Sequence, residues 1–297
     1  MAKIIITPDD DSYNVNSPTF LVYDSGSKEL VHTCNKLEEL NAVEMIGQGR
    51  PTFRPYGIAS DEDYLYVVSH NKLGKFNKET YEFLGLVDVP LFVNTHKIMR
   101  HRDSIYVTNT SNNTIGIHNL ENRTHKFFDV KTFKLTNDVA TPANAESHDT
   151  THVNSLYADG NKIYFSLNNL NRRSSQLGYF DADTFESEIV AEAGLRTHGV
   201  QVLNNKLYSL SSGTGEIVEV DLDTKDVALY KVVDSARTYL RGLDVLDGNL
   251  VFCGSNTYSE DRTIYMNNCF VAQFDVKAKV LMNINAAYII ADMKVLG

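Results

Sequence analysis

Thr197-His198-Gly199-Val200-Gln201-Val202-Leu203-Asn204-Asn205-Lys206-Leu207-Tyr208-Ser209-Leu210 reads as one complete structural unit. A polar residue opens a short apolar strand, Asn204-Asn205 makes a turn, and a strand rich in aliphatic and aromatic residues returns. Paired asparagines suit a tight hairpin because they tolerate the positive φ that its twist demands.

The unit recurs along the chain at intervals of about 40 to 56 residues. Its opening strand returns as Pro55-Tyr56-Gly57-Ile58-Ala59, Thr95-His96-Lys97-Ile98-Met99, Thr151-His152-Val153-Asn154-Ser155-Leu156 and Leu240-Arg241-Gly242-Leu243-Asp244-Val245. Each is followed by a polar turn and a second strand, as in Asp159-Gly160-Asn161-Lys162-Ile163-Tyr164-Phe165-Ser166. A third strand and a fourth follow, joined by turns such as Asp181 to Thr184 and Asp221 to Thr224. The repeated Asp-x-x-Thr fits an aspartate that accepts hydrogen bonds from the next turn's backbone. Each repeat is therefore a four-stranded antiparallel meander, the unit of a β-propeller blade.

Five blades are legible in this way. The leftover ends supply a sixth: Tyr288 to Val295 as its innermost strand, with Lys3 to Thr7, Thr19 to Tyr23 and Glu29 to His32 outside it. Closing the ring by pairing the two termini removes two exposed sheet edges. The expectation is an all-β, six-bladed propeller occupying residues 1–297 as a single domain, with five blades as the alternative. A short helical stretch is expected near Leu37 to Glu44, and a long irregular insertion from Lys131 to Asp149 is a candidate lid.

A net charge of −10 argues against nucleic-acid and anionic-membrane partners, which reward basic patches. Cys34, Cys253 and Cys269 are odd in number and lack the C-x-x-C spacing of thiolate zinc sites. The apolar run Ile4-Ile5-Ile6 is far shorter than a signal-peptide core or a membrane span, so a cytoplasmic location is the expectation. The oligomeric state is left unspecified.

The stretch Leu207 to Ile217, with Leu240-Arg241-Gly242-Leu243, resembles an uncharacterised bacterial family of β-propellers sometimes fused to tetratricopeptide repeats. Arg54 to Ala59 and His152-Val153-Asn154-Ser155-Leu156 are similar to that family's other signature segments, and the likeness spans roughly residues 50 to 290. It implies the fold and no activity. No tetratricopeptide repeat is legible here.

Innermost strands of a propeller run side by side around one axis, so equivalent residues form a ring at the channel mouth. Tyr56, His96, His152, His198 and Arg241 read as that ring. Three imidazoles converging from rigid strands would make a three-His centre for a divalent ion, zinc or iron, with an open position for water or substrate. Arg241 would hold a carboxylate or oxyanion, His148 is a candidate fourth ligand, and Asp149 a ligand or an orienting acceptor. Tyr56 and Glu260 complete the candidate catalytic set. The arrangement is analogous to the amidating lyases of peptidyl-hydroxyglycine.

The chemistry expected is that of a lyase, hydrolase or oxygenase acting on a small-molecule or peptide-like substrate. The same histidines also suit the lining of a wet channel in a non-catalytic ligand-binding or protein-interaction propeller. No G-x-S-x-G elbow, phosphate-binding loop or dinucleotide fingerprint is present.

Overall fold

The computed structural model describes residues 2–9, 18–35, 37–40, 55–69, 72–90, 95–136, 149–171, 173–234, 238–256, 269–275, 277–284 and 289–297. Its sheets are six antiparallel blades, each ordered from an innermost to an outermost strand. Blade 1 is Pro55–Ser60, Tyr64–Ser69, Lys72–Asn77 and Phe83–Leu86. Blade 2 runs from Thr95–His101 through Ser104–Asn109 and Thr114–Asn119 to His125–Asp129, with a fifth strand, Lys134–Thr136, outside it. Blade 3 begins at Val153–Asp159, blade 4 at Thr197–Leu203 and blade 5 at Thr238–Leu246. Blade 6 joins Ile289–Leu296 to Lys3–Asp9, Phe20–Asp24 and Leu30–Cys34.

The ring closes as expected, since Ile289–Leu296 pairs with Lys3–Asp9 and also packs on the inner strands of blades 5 and 1. The structure therefore selects six blades over five. Two local expectations are refined. Part of the irregular insertion is the fifth strand of blade 2, and residues 137–148 lie outside the described residues. The stretch near Leu37 supplies one 3-10 turn, Glu38–Leu40, whose buried Leu40 packs over Gly74, and residues 41–44 are likewise outside the described set.

Each seam between neighbouring blades holds its own apolar core. Ala59, Tyr66 and Val68 of blade 1 meet Ile98, Ile105 and Val107 of blade 2. On the other face of blade 2, Tyr106, Ile115 and Phe128 meet Leu156, Phe165 and Phe180 of blade 3. Adjacent residues such as Tyr106 and Val107 thus serve opposite seams. This is why the second strands read as continuous apolar runs rather than alternating ones. Each large side chain buried this way contributes roughly 1.5–3 kcal/mol.

The outer turns are near copies of one another. Asp181 Oδ1 accepts from the amides of Asp183 and Thr184, both at 2.9 Å, and Asp221 repeats the pattern with Asp223 and Thr224. Asn77 and Asn119 do the same in blades 1 and 2, and Asp24 in blade 6. Among the described residues no helix is long and apolar enough to cross a membrane.

Candidate functional site

All six innermost strands carry a β-bulge near one mouth of the channel. Strand pairing skips at Tyr56, at His96 and Lys97, at Asn154, at Gly199, at Arg241 and Gly242, and at Ala291. A bulge leaves a residue unpaired and re-aims its side chain, and bulges are enriched beside functional sites. The freed backbone groups are met by the second strands. Thr108 Oγ1 accepts from the amides of His96 (3.3 Å) and Lys97 (2.9 Å), Cys253 Sγ from Gly242 (3.1 Å), and Ser209 Oγ donates to Gly199 O (2.8 Å).

Glycine follows the marker on three blades because the next inner strand presses against it. A Cβ on Gly57 would lie 2.9 Å from His96 O, one on Gly199 2.7 Å from Leu243 Cβ, and one on Gly242 2.5 Å from Met293 N. On blade 2 the corresponding residue is Lys97. Its Nζ reaches across blade 1 to both carboxylate oxygens of Asp292 on blade 6, at 2.7 and 2.5 Å. Asp292 is 4% exposed and also accepts from the amide of Ile58 at 3.1 Å, so this ion pair braces three inner strands just past the bulges.

The pairing corrects one reading of the sequence. Counted back from the hairpin pairs His101↔Ser104, Asp159↔Lys162, Leu203↔Lys206 and Leu246↔Asn249, the equivalent residues are His96, Asn154, His198 and Arg241. Asn154, not His152, holds the blade 3 position. Its amide turns sideways, donating to Thr197 O of blade 4 at 3.0 Å and accepting from Ser155 and Ser166. The sequence offered both residues, and the histidine drew attention because its neighbours were histidines.

His152 nevertheless reaches the mouth by a different route. It precedes the strand in a left-handed conformation, φ 51°, which a non-glycine residue adopts only when held. Asp149 holds it twice, accepting from the His152 amide at 2.9 Å and meeting Nδ1 through its other oxygen at 2.5 Å. A carboxylate on Nδ1 fixes the proton there and leaves Nε2 as the acceptor. The His152 ring stands edge-on to His96, centroids 5.1 Å apart, and Tyr56 stacks on His96 at 4.7 Å with planes 12° apart.

His198 belongs to a second cluster with Ser212, Tyr239 and Arg241. Ser212 Oγ donates its single hydrogen to Leu240 O, so it accepts from His198 Nδ1 at 2.9 Å, and His198 Nε2 faces the Tyr239 hydroxyl at 3.4 Å. The Arg241 guanidinium lies over the Tyr239 ring, 4.9 Å from its centroid, and Arg241 is buried. The expected ring thus resolves into two clusters, Tyr56–His96–His152–Asp149 and His198–Ser212–Tyr239–Arg241.

Among the described residues no three His, Cys, Asp or Glu side chains stand together as a metal-binding group. Both nitrogens of His198 face hydroxyl groups, and Nδ1 of His152 is held by Asp149. The three imidazoles as placed therefore do not fit a three-His centre. His148 and Glu260 lie outside the described residues.

The polar ends of the second strands, Ser211-Ser212-Gly213 among them, read from the sequence as possible hydrogen-bond groups at this mouth, and Ser212 is one of them. Asn154, Tyr239, Lys97 and Asp292 were not singled out. Lys97 carried a signal, since it stands where other blades have glycine. Asp292 carried another, a lone carboxylate in the otherwise apolar Ile289-Ile290-Ala291-Asp292-Met293.

No family model and no curated protein matches the chain. Solved structures do match in fold. One chain from the crystal structure of a nidogen/laminin complex aligns over 99% of this protein and 98% of its own length, with a TM-score of 0.68 at 10% identity. A protein of unknown function from Bacteroides caccae aligns over the same shares with a TM-score of 0.66, also at 10% identity. At such identity the likeness speaks for the fold alone.

Proposed function

We propose that the bulged mouth binds a small polar or peptide-like molecule bearing an anionic group and acts on it by general acid–base chemistry, as a lyase or hydrolase. The observation that supports this most is the Asp149–His152 pair seated against His96. A histidine whose Nδ1 is held by a carboxylate presents a basic Nε2, the arrangement by which proton transfer to or from a substrate is organised. His152 is the base in this reading and Asp149 positions it. Tyr56, stacked on His96, supplies an aromatic wall, and Arg241 with His198 supplies charge and hydrogen bonds for the anionic end.

Ligand-observed NMR with a library of small carboxylates, phosphate esters and N-acyl amino acids tests this reading. Binders should be lost in His152→Gln and Asp149→Asn, retained in the outer-turn control Glu29→Gln, and converted by the wild type at a rate that His152→Gln abolishes. A binder returned chemically unchanged would make the mouth a receptor site, the non-catalytic alternative. Binding that ignores both substitutions would remove the mouth from consideration.

A metal-dependent oxygenase, lyase or hydrolase is the second reading, favoured by the adjacency of His96 and His152. It needs a donor from beyond the described residues, for which His148 is the sequence candidate. Near-stoichiometric zinc or iron in protein purified without an affinity tag, lost on His96→Ala, would support it. Metal-free protein that still turns over a substrate would exclude it.

A further inference from the structure

Past the Lys97–Asp292 bridge the channel opens into a cavity of about 150 Å³ lined by all six inner strands. Its polar wall includes Lys97, Arg100, Tyr157, Gln201, Asp244 and Lys294. Three cations and one carboxylate face the cavity, while Asp292 and Asp61 pair with Lys97 and Arg100 from outside its lining.

The one wall carboxylate is already occupied. Asp244 Oδ2 accepts from Lys294 Nζ at 2.9 Å and from the Val295 amide at 2.8 Å, while Oδ1 accepts from the Val245 amide at 2.9 Å. The cations keep donors in reserve. Arg100 Nε and Nη1 are buried and make no hydrogen bond, the nearest carboxylate being Asp61 Oδ2, 3.5 Å from Nε. Lys97 and Lys294 each carry more N–H groups than their single carboxylate partners accept. Buried donors of this kind are met in native proteins by water or by a ligand.

We propose that this far cavity is a binding site for a small oxyanion, of the size of phosphate, sulfate or a short carboxylate, held by Arg100 with Lys97, Lys294 and Gln201. Guanidinium and ammonium groups in a confined cavity form charge-assisted bonds with such an anion, and the cavity admits only a few heavy atoms. This cavity shares no lining residue with the two mouth clusters, so the two would be occupied independently.

The test is equilibrium dialysis of the whole chain against radiolabelled inorganic phosphate at constant ionic strength, with sulfate and acetate as competitors. Saturable one-to-one binding is expected. Arg100→Gln should weaken it by at least about tenfold. Gln201→Glu, which is isosteric and sets a negative charge on the wall, should do the same while the protein keeps its cooperative unfolding and circular-dichroism spectrum. It keeps the question answerable where loss of the Asp61 pairing unfolds Arg100→Gln. His152→Gln should leave phosphate binding intact, so this site and the mouth stand or fall separately. Absence of saturable binding up to about 10 mM phosphate, or equal affinity in wild type and Gln201→Glu, would overturn the proposal.

Discussion

Two histidine pairs show how placement decides what one side chain can do. His118 of blade 2 is fully buried beside the seam with blade 1, its Nδ1 facing His125 Nδ1 at 3.1 Å and its ring edge-on to Phe127. Burial, with repulsion from His125 second, pushes its pKa down to about 3, so the ring stays neutral and structural. His152 at the mouth has a carboxylate on Nδ1, a second imidazole against its edge and partial exposure. Residue type is the same in both places. Only the second has a partner that organises a proton.

The sharpest way to break this contrast is to remove the carboxylate that braces the inner strands beneath the mouth. Asp292→Leu leaves the part-buried Lys97 without its counter-charge and should cost about 3 kcal/mol in urea unfolding. Lys97→Met combined with it should recover most of that loss. The double variant should keep its propeller circular-dichroism spectrum, which separates the ion pair's contribution from that of packing.

Acid probes the other member of the comparison. Because the folded-state pKa of His118 lies below its ordinary value of 6.5, the unfolded chain takes up a proton that the folded chain refuses. Its contribution is therefore full above pH 6.5 and is lost as pH falls toward 3, on the order of 5 kcal/mol in all. His118→Met should flatten that part of the stability profile between neutral pH and pH 5, measured by urea midpoints. A slope unchanged in this variant would show that His118 is not the group responsible.

Asp149→Asn should have the smallest effect on stability, about 1 kcal/mol, since the His152 amide keeps an acceptor. Its effect on ligand binding should be far larger than on the melting temperature. The reverse pattern would make Asp149 a loop brace and nothing more.

The fold was legible because its determinants are local and repeated. Asn204-Asn205 and Asp181 to Thr184 act within a few residues, and the outer turns reuse one hydrogen-bond pattern around the ring. The mouth was legible only in composition. His96, His198 and Arg241 were placed in register, but His152 was aligned by residue type, whereas counting back from the hairpin pair Asp159↔Lys162 gives Asn154. A bulge sets two residues against one, so side chains beyond it change face and residue type alone does not give the register. Lys97–Asp292 was invisible for another reason, since ring closure brings together residues 195 positions apart.

The most direct test of the central claim is a long-range proton–nitrogen spectrum of the imidazoles, recorded during titration with the first ligand found by screening. The account predicts saturable shifts at His96 and His152, with His118 and His125 unmoved. Shifts confined to His118 and His125, or a ligand that binds without moving any mouth imidazole, would contradict it.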